Sequence, residues 1–290
     1  MADHFELSSP PFDSVAQVRF SPTNPDQLLV FLGHVQFYNI TANEQKTKFD
    51  HRAAVLACTF GDVTHACSGG LDMGVRELDL AAEKVTYLGQ HENAVSAVNY
   101  VREQNLLITG SWDHPRAETV GVSSHTLPER VYHIDVVNHT LVVAMASRLF
   151  HIYDTGWYAI GSVEGQIGDE YFDPSQEAQD KKYAFKCHRQ AIDDVDHVWP
   201  VNALAFHPVY NMFASAGTVS IWDHKEKRLR QYPKYATAIP SIAFNADGTR
   251  LAVGVSYTWD DGEKGAKTAE RPAIWIRTFI PAPGSLALAQ

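Results

Sequence analysis

The densest group of cations in an otherwise acidic chain is Lys181, Lys182, Lys186 and Arg189, carried on the run Lys181-Lys182-Tyr183-Ala184-Phe185-Lys186-Cys187-His188-Arg189. A guanidinium can donate two parallel hydrogen bonds to one phosphate or carboxylate, and a neighbouring ammonium adds a point charge, so the chemistry on offer is capture of an anion. On an extended strand Lys182 and Lys186 share a face, and Arg189 falls at the strand's end. A solvated basic edge is the competing account of the same pattern. Cys187 and His188 are adjacent, but alternation along a strand sends them to opposite faces, which separates a nucleophile from its base. Trp112, in Gly110-Ser111-Trp112-Asp113, is expected at a turn between strands, where a large aromatic calls for a covering partner or a neighbouring sheet. Asp72 and Asp113 are expected to hold turns.

The elements that position these residues repeat. His51, Val55 and Phe60 recur at the same offsets as His91, Val95 and Tyr100, and again as His197, Val201 and Phe206. Phe20, Phe60 and Tyr100 are 40 residues apart, and the segments alternate with a strand's period of two, which excludes helical repeats and fits four-stranded propeller blades. Histidines at equivalent places in successive sheets cannot converge on one ion, so His51, His91 and His197 are predicted to hydrogen-bond within their own sheets. The sequence predicts strands at Val15–Phe20, Leu28–Val30, Val35–Tyr38, Val131–Val136, Leu141–Ala146, Leu149–Asp154, Tyr158–Gly165 with Tyr183–Cys187, Val201–Phe206, Met212–Gly217, Ile242–Phe244, Leu251–Val255 and Ala273–Arg277. Val219-Ser220-Ile221-Trp222-Asp223 ends on the dipeptide of WD40 blades. The count is seven units in one domain, 1–290: an all-β, seven-bladed WD40 propeller, its ring closed by an N-terminal strand from residues 4–8 that covers an open sheet edge. Residues 260–267 are expected to form an exposed loop. Several units are short: Val30 to Val35, Trp112 to Arg116, Asp154 to Trp157, and Gly217-Thr218 leave little room for the usual hairpins.

A chain of 290 residues with 45% hydrophobic content can build a large core. Its formal net charge of −10 opposes general binding to nucleic-acid backbones or anionic membranes. Cys58, Cys67 and Cys187 have no zinc-ligand spacing, which points to a reducing compartment. The amino terminus lacks a basic and an apolar region of a secretory signal, and no apolar run approaches a membrane span, so a soluble intracellular protein is expected. Nothing matches G-x-S-x-G, H-E-x-x-H or a phosphate loop ending in Lys-Ser/Thr; no catalytic residue, metal ligand or cofactor is predicted. A propeller hydrolase would need a metal or nucleophile in a central channel.

Ser162-Val163-Glu164-Gly165, Glu170-Tyr171-Phe172-Asp173-Pro174-Ser175, the Lys181–Arg189 run and Pro200-Val201-Asn202-Ala203 together resemble the spindle-checkpoint WD40 protein of the budding-uninhibited-by-benzimidazole family. Thr64-His65-Ala66, Ser68-Gly69-Gly70-Leu71-Asp72 and Thr109-Gly110-Ser111-Trp112-Asp113 agree, and the likeness runs from about Phe5 to Arg277. The WD40 messenger-RNA export factor of the nuclear pore is a second, similar family, and implies as an alternative function the binding of a nucleoporin GLEBS motif. The resemblance implies a non-enzymatic adaptor of the nucleus, and of kinetochores in mitosis. Its partners would be the GLEBS motifs of a checkpoint kinase and a kinase-like scaffold, phosphorylated Met-Glu-Leu-Thr repeats of a kinetochore scaffold, and a checkpoint complex directed at a ubiquitin ligase. Arg189 matches the family's phosphate-contacting arginine, with Lys186 and Lys182 beside it; Trp112 matches a tryptophan of the GLEBS groove. Gln166 stands where that groove has an arginine, Asn211 falls near a second phosphate-contacting position without being basic, and the first unit lacks Ser-Trp-Asp between Val30 and His34. These departures imply weaker peptide contacts and a larger share for Arg189.

Overall fold

The computed structural model describes residues 4–31, 33–112, 127, 129–137, 140–145, 150–152, 157–162, 164–171, 175–223, 227–259 and 262–281. Its strands follow the chain as β1 (His4–Glu6), β2 (Gln17–Phe20), β3 (Gln27–Phe31), β4 (His34–Asn39), β5 (Glu44–Asp50), β6 (Val55–Phe60), β7 (His65–Gly70), β8 (Gly74–Asp79) and β9 (Lys84–Gln90). Then come β10 (Val95–Val101), β11 (Leu106–Ser111), β12 (Val131–Val137), β13 (Thr140–Met145), β14 (Phe150–Ile152), β15 (Trp157–Gly161), β16 (Gln166–Tyr171) and β17 (Tyr183–Lys186). The last are β18 (Arg189–Ile192), β19 (Val195–Val198), β20 (Leu204–Phe206), β21 (Met212–Ser215), β22 (Ser220–Asp223), β23 (Lys227–Gln231), β24 (Ser241–Phe244), β25 (Arg250–Val255) and β26 (Ala273–Thr278). Among the described residues, helix is confined to the short α1 (Gln176–Gln179), α2 (Gly262–Ala266) and a 3-10 turn at Arg102–Gln104.

Among the described residues these strands form seven sheets and one separate hairpin, β18–β19. Four sheets have four strands, two have three, and β10–β11 stands as a pair. Every sheet is a meander of neighbours in sequence except the last, where β1 pairs antiparallel with β26 through His4↔Arg277 to Glu6↔Trp275. The expected N-terminal closing strand is therefore present, and it covers what would otherwise be an edge at β26. The short first unit still builds a complete sheet, since β3 and β4 pair up to Phe31↔Val35. The unit at Gly217-Thr218 does the same, with Ser215↔Ser220 closing β21 onto β22. Several expectations change in extent: the strand predicted from Val15 begins at Gln17, that over Tyr158–Gly165 ends at Gly161, and that from Met212 ends at Ser215. The strand predicted from Val201 begins at Leu204, and the loop at 260–267 contains α2. Asp113 to Arg116 and residues 153–156 lie outside the described residues, as do Phe172 to Pro174.

Two compact units divide the chain, Met1–Val18 with Gly156–Gln290, and Arg19–Thr155. Each has its own cores. In the first, Ile221, Ile239, Leu251, Val253 and Val255 form one cluster, and Ile167, Cys187, Val201, Phe213 and Trp222 another. In the second, Val75, Val95 and Val98 gather around Ala57, and Ile134, Val143 and Met145 around Val131. One contact recurs in both. Gly69 of β7 lies so close to Val95 that a Cβ there would meet Val95 Cγ1 at 2.4 Å; Gly110 of β11 stands the same way to Val131 at 2.5 Å, and Gly161 of β15 to Val201 at 2.6 Å. A glycine of one sheet thus receives the valine that leads into the next. The fit buries a side chain with about 1.5–3 kcal/mol of transfer free energy, and a methyl in its place would overpack the joint.

Candidate anion-binding site

The basic run sits where two pieces of the first unit meet. β16 and β17 pair from Gln166↔Lys186 to Asp169↔Tyr183. Along β17 the side chains alternate: Phe185 turns in, its ring 4.7 Å from that of the buried Trp222, while Lys186 on the opposite face is exposed. Directly cross-strand residues of an antiparallel pair project from the same face, so Lys186 and Gln166 share one side of the sheet. Lys181 and Lys182 lie ahead of β17, in the turn after α1, and Lys181 contacts Glu177 at 3.4 Å on an exposed surface.

Arg189 is not at the end of the lysine strand. The chain leaves β17 at Lys186, and His188 takes a left-handed φ of 50° that breaks the extended run; Arg189 opens the β18–β19 hairpin. This hairpin is exposed along both strands and turns at Asp193 and Asp194, with φ of 51° and 60°, the conformation a two-residue hairpin turn requires. The Arg189 guanidinium is exposed and donates from Nη2 to the Glu164 carbonyl at 2.7 Å. That bond ties the hairpin's root to the turn before β16. Gly165 makes the approach possible: its φ is 63°, and a Cβ would lie 2.7 Å from Val198 Cγ1 and 2.8 Å from the Cys187 carbonyl oxygen. On its other side the hairpin is held by Lys234, whose Nζ is 3.9 Å from the Trp199 ring centroid and donates to Gln190 Oε1 at 2.7 Å. No sequence pattern marks Lys234 or the Glu164 carbonyl, because both act across long stretches of chain.

Neither Arg189 nor Lys186 makes an ion pair among the described residues. Lys186 and Gln166 pair across the ends of β17 and β16, and Arg189 reaches the carbonyl of Glu164, two residues before Gln166. Trp112 belongs to the other unit, just past β11; it is half-buried, its backbone N–H donates to the Ala94 carbonyl at 3.0 Å, and its indole Nε1 is buried without a hydrogen-bond partner among the described residues. Asn211 precedes β21.

The residue beneath the site is His188, and here one expectation is corrected. His51 and His91 do hydrogen-bond into a sheet, to Ser68 Oγ and Thr109 Oγ1, both at 2.9 Å. His197 does not: it lies on exposed β19 and stacks loosely on Trp199 at 6.3 Å. The equivalent role falls to His188, buried, with Nε2 2.8 Å from Ser215 Oγ. The Thr218 backbone N–H donates to His188 Nδ1 at 3.0 Å, which places the ring proton on Nε2. Ser215 Oγ also accepts from Trp222 Nε1 at 2.6 Å, so the Trp of the Trp-Asp dipeptide completes the network. With both nitrogens engaged, His188 is not positioned as a base. The neighbouring Cys187 thiol is pushed up to about 11 by burial. Their separation comes from the backbone turn at His188 and not from strand alternation.

Asp72 holds its turn as expected, accepting from the Gly74 N–H at 3.3 Å and pairing with Arg76 at 2.6 Å. Burial opposes ionisation of Asp72, but the Arg76 hydrogen bond and charge outweigh it and hold the carboxyl below its ordinary range.

The WD40 family (WD domain, G-beta repeat) matches residues 82–114. Among solved structures, the WD40 repeats of RRP9 superpose with a TM-score of 0.72, at 14% identity, over 96% of this chain and 97% of that one, which shows the WD40 propeller fold. Among sequences, mitotic checkpoint protein BUB3.1 of Arabidopsis thaliana is 41% identical over 94% of this chain and 92% of its own length. Mitotic checkpoint protein bub3 of Dictyostelium discoideum is 35% identical, covering 90% and 91%, and mRNA export factor GLE2 of Chaetomium thermophilum 32%, covering 92% and 87%. The Arabidopsis alignment spans 317 positions against the 290 residues here, so that relative carries internal residues this chain lacks, in keeping with its short units. On that evidence the chain belongs to the Bub3 family of WD40 mitotic checkpoint proteins.

Proposed function

We propose that this protein is a non-enzymatic adaptor of the spindle assembly checkpoint that reads a phosphorylated peptide through Arg189. The observation that carries the proposal is an exposed guanidinium fixed by a backbone carbonyl and left without a carboxylate among the described residues. One donor is spent on the Glu164 carbonyl, which orients the group, and the fork has further donors to offer an incoming phosphate. Lys186, and beyond it Lys182, supply further positive charge toward the same anion. Their charge is local in a chain of net charge −10, so the surrounding surface disfavours polyanions and leaves a short phosphorylated segment as the fitting ligand. The peptide class expected from the family resemblance is a phosphorylated Met-Glu-Leu-Thr repeat of a kinetochore scaffold. Trp112, whose buried indole N–H lacks an acceptor, and Gln166 are proposed contacts for a GLEBS segment of a checkpoint kinase or scaffold. The whole chain, 1–290, would act as one domain, in the nucleus and at mitotic kinetochores.

The test is binding of phosphorylated and unphosphorylated Met-Glu-Leu-Thr peptides to the purified protein by fluorescence anisotropy. Hydrogen bonds to charged groups contribute about 1.5–3 kcal/mol, so Arg189→Ala should weaken the phosphorylated peptide by roughly 10- to 100-fold. Arg189→Glu should remove the dependence on phosphate altogether. Equal binding of the two peptides by the unaltered protein would reject the proposal. Similarity to the export factor GLE2 supports a second reading, attachment to a nucleoporin GLEBS motif; co-purification with a nucleoporin and without checkpoint kinases would favour it.

A further inference from the structure

The Arg19–Thr155 unit contains a cavity of about 300 Å³ that the peptide-reading proposal does not use. It opens where β2, β6, β10 and β12 end, and each strand contributes its residue at the same place, one before Phe20, Phe60, Tyr100 and Val136: Arg19, Thr59, Asn99 and Asp135. The 3-10 turn after β10 adds Arg102 and Glu103. Polar side chains at that place are not a requirement of the repeat. In the other unit the residues before Phe206 and Phe244, on β20 and β24, are Ala205 and Ala243.

The two arginines are incompletely satisfied. Arg19 Nε and Arg102 Nη2 are both buried and, among the described residues, both lack a hydrogen-bond partner. Asp135 acts on Arg19 through space, and its Oδ1 accepts from the Val136 N–H at 2.9 Å; Asn99 reaches the Ile134 carbonyl at 3.5 Å. Burial, the largest influence, lowers the affinity of the Arg19 guanidinium for its proton, and the Asp135 charge only partly offsets this. A buried guanidinium donor without an acceptor is costly, whereas an oxyanion arriving with two oxygens matches its fork. The size is that of about ten water molecules and lies at the lower end of small-ligand sites. Glu103 and Asp135 on the same wall set a limit on charge. Two carboxylates facing two guanidinia admit one added negative charge more readily than several.

We propose that this cavity binds a small ligand through a single carboxylate or phosphate group, with Arg19 and Arg102 as the donors. The two chemistries are separated by probe. The full chain in chloride buffer at constant ionic strength is titrated with inorganic phosphate in one arm and acetate in the other, and its unfolding temperature is followed. A ligand that binds only the folded state raises that temperature saturably. At least one anion should do so, and Arg102→Gln and Arg19→Gln should each weaken the apparent affinity by about tenfold or more, which corresponds to about 1.4 kcal/mol. Arg102 lies on a surface turn, so its variant keeps the test alive should Arg19→Gln fold poorly. Arg189→Glu should retain the response, which distinguishes this cavity from the peptide-reading site. No saturable shift with either anion, or the same shift in the Arg102→Gln protein as in the unaltered one, overturns the proposal.

Discussion

Two kinds of joint between sheets coexist in this chain. Ahead of β6 and β10 the anchoring histidine stands four residues before the valine that enters the sheet, His51 before Val55 and His91 before Val95. Ahead of β20 the anchor is His188 and the valine is Val201, thirteen residues later. Both ends of that long joint do what their counterparts do, since His188 reaches a hydroxyl on the second strand and Val201 fills the space left by a glycine. The extra length between them is the β18–β19 hairpin, with Arg189 at its root. The repeat is thus kept where it is needed for packing and opened where an exposed, charged ribbon is displayed. The structural anchor and the residue proposed to read the peptide are thus adjacent, His188 and Arg189.

Removing the anchors is the most severe way to break this comparison. His188→Ala leaves the buried Thr218 N–H without its acceptor and takes one of two donors from Ser215 Oγ, and should cost about 3 kcal/mol in urea denaturation. His51→Ala and His91→Ala, which empty half-buried sites, should cost about 1–2 kcal/mol each. His197→Ala should stay within about 0.5 kcal/mol. A His197 variant as unstable as the His188 one would mean that the long joint has been misassigned. The valine end sharpens the same point: Gly69→Ala and Gly161→Ala should each cost about 2 kcal/mol by overpacking, and Val201→Ala should partly relieve Gly161→Ala in a double-mutant cycle. Gly33→Ala, with open space around it, should be nearly neutral.

Acid should act through the half-buried anchor His51 and through His207, which is buried after β20 with its Nε2 3.0 Å from the Gly248 carbonyl oxygen. Burial, chiefly, holds His51 and His207 below the ordinary 6.5, so the unfolded chain takes up their protons at a pH where the folded chain does not. Stability should therefore fall as pH drops through and below 6.5, and His51→Gln should flatten that fall relative to the unaltered protein. The smallest effect is expected at the hairpin tip. Asp194→Gly, which frees a left-handed residue from side-chain strain, should stabilise by about 0.5 kcal/mol and leave peptide binding unchanged.

Much of the fold is legible in the sequence because sheet formation leaves a local signature. Alternation located β4, β6, β10 and β25, the Trp-Asp dipeptide marked β22, and residues 4–8 supplied β1. The site is legible as a cluster of charges, but its geometry is not. Spacing pointed to His197 because it lies four residues before Val201, as His51 and His91 do before their valines; a hairpin that shifts the true anchor nine residues upstream leaves no periodic trace. Lys234 and the Glu164 carbonyl are partners by tertiary contact alone. The cavity beside Arg19 was equally hidden, since its wall is assembled from residues about 40 positions apart whose types follow no repeat.

The pairing of β1 with β26 sets a timetable for synthesis. His4–Glu6 leaves the ribosome well ahead of its partner Ala273–Thr278, which follows about 270 residues later in the chain. At about 5–20 residues per second the first strand waits roughly 15 to 50 seconds for its mate. Until then the final sheet has no β26, and β25 offers a bare edge to any passing chain. A nascent chain stalled before residue 273 should therefore depend on chaperones far more than the finished protein does.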